Sequence, residues 1–102
     1  MLNNDQIIEK CKVNAELLTD AVRADLAAVQ ANGFEHGRAG TYPAKDLTSD
    51  DGDTDWFWDV GAEIEHLEDS LGVREGALLR IYKAAFREGA LAAKNAKRGK
   101  KS

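Results

Sequence analysis

The 102-residue chain holds one cysteine and two histidines, and no apolar run in it approaches the length of a membrane span. Each shortage excludes something. One thiol, Cys11, closes no internal disulfide, so a reducing compartment, the cytoplasm, is expected. A bilayer needs roughly 20 consecutive apolar residues, which excludes a spanning helix. The first ten residues, MLNNDQIIEK, lack the basic-then-apolar order of a secretion signal. No run alternates like a strand, and no nucleophile motif stands near either histidine, so an enzyme is not expected. With 43% hydrophobic and 31% charged residues, what remains is one small globular domain.

The net charge of −4 is unevenly laid out. Residues 1–34 carry three basic and five acidic side chains, residues 35–75 three and twelve, and residues 76–102 eight and one. An acidic middle is therefore followed by a basic end. Such asymmetry bears on partners rather than on fold.

The apolar spacing predicts an all-α fold of three helices. Asn3 or Asn4 can cap the first, and Gln6 stands three residues after Asn3 as in a capping box. Ile8, Cys11, Ala15, Leu18, Val22 and Val29 then recur at helical steps, which predicts one long helix over residues 4–31 stopped at Asn32-Gly33. Such a helix must pack on a partner of similar length, either the C-terminal helix or a second copy. Residues 33–53, rich in Gly, Pro and Ser, are expected to form a loop. A second helix begins near Asp53 or Thr54, buries Phe57, Val60, Ile64, Leu67 and Leu71, and ends at Gly72. A third runs from Val73 to about Asn95. Its small residues Ala85, Gly89 and Ala93 permit a close neighbour. Residues 1–96 are expected to form the domain and 97–102 a flexible basic tail.

Gly33, Gly37 and Gly40 fit neither a dinucleotide fingerprint nor a P-loop, because no Gly-Lys-Ser/Thr follows. The string GFEHGRAG, followed by Tyr42-Pro43 and later by two tryptophans, resembles the small ribosome modulation factor family. That family is shorter and basic throughout, whereas the region here is acidic, and none of its properties is carried over.

Other candidate sites compete with plain structural roles. Asp51, Asp53 and Asp55 match the start of an EF-hand loop, but Trp56 stands at the required glycine and Ala62 at the bidentate glutamate. Glu63 and His66 make one ExxH step, and Glu35-His36 could join them, yet a di-iron bundle needs a second such step and two more glutamates. No metal, cofactor or catalytic residue is therefore expected. Cys11 falls on the apolar stripe and reads as a small buried hydrophobe.

Two surfaces remain. If Phe57 faces the core, Trp56 borders it and Trp58 is stranded on an acidic face with Asp55, Asp59, His66 and Asp69. That pattern points to a protein-binding patch anchored by tryptophan. Acidic helices of this kind can imitate a nucleic-acid backbone, as small phage and plasmid inhibitors do, so a nucleic-acid-binding protein is the candidate target. Self-association is also expected, since acidic and basic faces could meet between copies. The alternative is direct nucleic-acid binding by Arg80, Lys83, Arg87 and Lys94 on one face of the third helix, continued by Lys97 and Arg98. Residues 67–86 read weakly as a helix-turn-helix, with Glu68 where a small residue is usual and no cap before Arg74-Glu75.

Overall fold

A computed structural model describes residues 1–48 and 54–99. Among these, four α-helices and no strand are found: α1 (Asn4–Cys11), α2 (Asp20–Ala39), α3 (Ala62–Leu71) and α4 (Ala77–Gly99). Short 3-10 turns occupy Ala15–Leu17 and Ala44–Thr48, and a π turn, Phe57–Gly61, leads into α3. No helix is long and apolar enough to cross a membrane among the described residues. The molecule measures 51 × 31 × 18 Å. Eighteen ångströms is under two helix diameters of about 10 Å, so every helix keeps a face toward solvent.

The expected first helix is two helices. Asn3 and Gln6 do form the capping box that starts α1. Lys12 then turns left-handed (φ +53°), and the amide of Val13 reaches back to the carbonyl of Ile8 at 3.2 Å. This closes α1 as a Schellman turn. Asn14 and Thr19 restart the chain by accepting from the amides of Glu16 and Val22 at 3.0 and 3.1 Å. Each such cap contributes about 1 kcal/mol. The apolar period runs through the break because Cys11 and Val13 both enter the core. The break folds α1 back over α2. There the Gln30 amide donates to the carbonyl of Leu2 at 2.7 Å and accepts from its amide at 2.9 Å.

Residues 33–39 are also helical, not loop. Gly33 does not stop α2; Gly40, left-handed at φ +67°, does. Gly33 and Gly37 let α4 come close. A Cβ on Gly33 would lie 2.5 Å from the carbonyl oxygen of Tyr82, and one on Gly37 would lie 2.0 Å from that of Phe86. From the other side, a Cβ on Gly89 would lie 2.0 Å from the carbonyl oxygen of Phe34. The backbones of α2 and α4 therefore touch along two turns, and this is the largest helix contact in the molecule. Tyr82, Phe86, Leu78 and Ile81 of α4 fill the core with Leu26 and Val29 of α2, and Leu47 joins them from the second 3-10 turn.

The α3–α4 corner depends on one carboxylate. Gly72 is the left-handed cap expected at the end of α3. α4 begins at Ala77 rather than Val73, after a turn through Gly76 at φ +87°. Glu68, only 2% exposed, reaches across from α3. It accepts from the amides of Gly76, Leu78 and Leu79 at 3.1, 2.8 and 3.3 Å. These are the unpaired donors of the first turn of α4, where the helix dipole also favours negative charge. The cap absent from the local sequence is thus supplied from nine residues upstream. At the other end α4 continues to Gly99, so Lys97 and Arg98 stand on the helix rather than in a tail.

Two consequences follow for stability. Gly37→Ala should destabilise by about 2 kcal/mol or more, as expected for overpacking, although alanine gains about 1 kcal/mol in helix propensity. Urea unfolding of Gly37→Ala would show it, and an unchanged midpoint would contradict the close crossing. Glu68→Ala strands three donors, that of Leu78 buried and those of Gly76 and Leu79 part-buried, and should cost about 2–3 kcal/mol, with Glu68→Gln between it and the parent.

Candidate functional site

Thr54 starts the acidic segment, its hydroxyl accepting from the amide of Phe57 at 3.2 Å. The next turn is a π turn, whose repeat is i to i+5 rather than i to i+4. This extra residue rotates the two tryptophans relative to the α-helical expectation. Trp56, five before Gly61, lands on the same side as Gly61, Ile64, Glu68 and Leu71, and all five are buried. Its ring lies over Gly61, where a Cβ would come within 3.2 Å of it. Trp56 is 2% exposed, packed at 5.9 Å from the Tyr82 ring. It is therefore a core residue and not part of a docking face, while Phe57 is only half-buried.

Trp58 is 65% exposed. Its ring meets that of Phe57 edge to face at 5.3 Å. Asp55, Asp59, Glu63, Glu65, His66 and Asp69 are exposed along the same segment. Asp59 accepts from the Tyr42 hydroxyl at 3.1 Å. Burial raises the pKa of Tyr42, and the carboxylates of Asp59 and Asp55 add to the rise, which places both beside the phenol. Asp59 and Glu63 also line a cleft of about 220 Å³ between α2 and α3, with Asp25, Asn32 and His36 across it and Tyr82 at its base. Trp58 does not line that cleft. The segment thus has a row of carboxylates toward α2 and an exposed tryptophan beside it.

His36 is tied to the core. Its Nδ1 and the Tyr82 hydroxyl are hydrogen-bonded at 2.6 Å, and the Tyr42 ring stands on it edge to face at 5.3 Å. Glu35 turns instead to Arg38, with an ion pair of 2.7 Å that lowers its pKa. Glu35, His36, Glu63 and His66 do not converge. Among the described residues no three of His, Cys, Asp and Glu are placed to hold a metal ion. Asp51 and Asp53 lie outside the described residues. The Cys11 thiol is pushed up by burial and by the nearby Glu68 carboxylate, which disfavours the reactive thiolate.

The basic stripe of α4 is less continuous than its spacing suggests. Arg80, Arg87, Lys94 and Lys97 are exposed, but Lys83 is half-buried with its Nζ 5.9 Å above the Trp56 ring. Arg80 instead joins Lys10, Lys12 and Arg74 around a groove of about 890 Å³ between α1 and α4. Sequence reading missed this cluster. On an unbroken helix Lys10 and Lys12 would point some 200° apart; the left-handed turn at Lys12 brings both to the groove.

Compared with known proteins, the chain matches no family model, no curated protein and no solved structure.

The phenol at the base of the cleft makes one pH prediction. Burial pushes the Tyr82 pKa up from about 10 to about 12. A folded pKa above the unfolded one adds stability below pH 10, and that contribution is lost as pH rises toward 12. The folded protein should therefore show delayed tyrosinate absorbance and unfold progressively across that window. Tyr82→Phe should remove the later part of the delay and leave the part that belongs to Tyr42.

Proposed function

We propose that the protein is a small non-enzymatic binding module that docks on a basic protein surface through the Trp58 ridge. Trp58 is the anchor, Asp55 and Asp59 are its charged flank, and His66 and Asp69 extend the rim along α3. One observation supports this above the rest. The chain spends one tryptophan on its core and holds the other 65% exposed two residues later, among carboxylates. A tryptophan offers 150–250 Å² of buriable surface, and such residues dominate binding energy where they are enclosed at an interface. The charge of the ridge favours a partner that otherwise binds nucleic acid, whose ligand the ridge would then exclude. The cytoplasm is the proposed setting, on the single buried thiol.

A direct nucleic-acid function is the competing reading, supported by the company that Lys10, Lys12 and Arg74 give to Arg80. The two readings respond oppositely to one substitution. Asp55→Lys with Asp59→Lys should abolish partner capture under the first and strengthen nucleic-acid binding under the second. A nuclease-treated lysate pull-down that compares the parent with Trp58→Ala tests the anchor. Loss of the retained proteins in Trp58→Ala is expected, by tenfold or more in affinity for a hot spot. Equal recovery by both would refute it.

A further inference from the structure

The α1–α4 groove has a composition that the ridge reading leaves unused. Its floor includes Cys11, Val73, Ala77, Ile81 and Ala85, of which Cys11, Ile81 and Ala85 are buried and Val73 and Ala77 half-buried. Gln30 lies in it too, but its amide is fully engaged by Leu2. Four cations edge the groove: Lys10, Lys12, Arg74 and Arg80, all exposed. None of them is ion-paired to a carboxylate among the described residues, where the pairs are Met1–Glu88, Arg23–Asp5 and Arg38–Glu35. Glu88 also lines the groove, but its carboxylate is held by the Met1 amino group at 3.8 Å, so the four cations remain in surplus over an apolar floor, which suits a guest that is apolar at its centre and negative at its edges.

This chain carries such a guest. The ridge has an exposed indole beside a half-buried Phe57, with Asp55 and Asp59 to either side in sequence. No residue that lines the groove belongs to the segment 55–59, so one copy can offer both surfaces at once. We propose that the Trp58 ridge of one copy docks into the cationic α1–α4 groove of a second. The proposal rests on the reading of Trp58 as an interface anchor and names its partner. The contact is heterologous: the surface given differs from the surface received. A run of copies therefore leaves one free ridge at one end and one free groove at the other. That free ridge is the one available to a different protein. Because four cations and the facing carboxylates carry much of the attraction, the assembly weakens as salt rises.

Two variants isolate the contact. The ridge variant is Trp58→Ala with Asp55→Asn and Asp59→Asn; the groove variant is Arg74→Gln with Arg80→Gln. All five positions are exposed, and circular dichroism and thermal melting check that each variant folds. Sedimentation at low salt should show the parent growing in mass with concentration. Each variant alone should stay at the 11.1 kDa chain mass, with apparent dissociation at least tenfold weaker. Mixed one to one, the variants should form a species of twice that mass and no larger, because the mixture retains one intact ridge and one intact groove. A parent that stays monomeric at submillimolar concentration overturns the proposal. So does an assembly that persists in either variant, which would place the contact elsewhere, or a mixture that remains monomeric. Duplex DNA bound by the parent and lost in the groove variant, without assembly, would assign the groove to nucleic acid instead. The wider reading fails on other evidence, the undiminished capture of a protein partner by Trp58→Ala, so the two failures are distinguishable.

Discussion

The backbone-to-backbone crossing of α2 and α4 is the constraint on which the remaining packing depends. With Gly33 and Gly37 on one helix and Gly89 on the other, each helix axis can approach to where a single methyl group would collide with a carbonyl. Interior glycines cost helix propensity, about 1 kcal/mol each. That cost is recovered through contact: the closer the axes, the more of Tyr82, Phe86, Leu26 and Val29 is enclosed between them. In a molecule 18 Å thick there is no third layer to finish the core, so one tight pair must organise it. α1, the Leu47 turn and α3 are then laid against that pair.

Two local devices set the surfaces against this frame. Glu68 joins α3 to the start of α4 and fixes the turn that presents Arg74 to the groove. The left-handed residue at Lys12 turns α1 so that its last basic side chains meet Arg80. The cationic groove is thus a by-product of two chain reversals, while the acidic ridge is set by the π turn that leads into α3. Charge laid out this way does little for folding, since most of it is exposed, but it governs encounter and orientation with partners.

The parts legible in the sequence were those controlled by neighbours in the chain. The Asn3–Gln6 box, the Gly72 stop, the burial of Ile64 and Leu71, and the small face of α4 all follow from spacing. Other features were hidden because a distant contact decides them. A glycine that ends a helix and one that admits a neighbouring helix look alike until the neighbour is known, so Gly33 was read as a stop. Asn14 and Thr19 are recognisable caps, but the apolar period continued past them, because residues on both sides of the break face one core. Glu68 looked misplaced in its own helix, since its partners lie eight to eleven residues ahead. The outward setting of Trp58 was legible; the depth of Trp56 was not, because a π turn leaves no periodic trace.

The π turn also makes the segment sensitive to length rather than to composition. It absorbs one residue more than an α-helical turn would. Loss of a single residue between Trp56 and Gly61 would return the turn to ordinary helix and rotate everything before it by roughly a quarter of a circle. The indole now wedged over Gly61 would leave the core without any side chain having been changed. Insertions and deletions here therefore act as an exchange of faces.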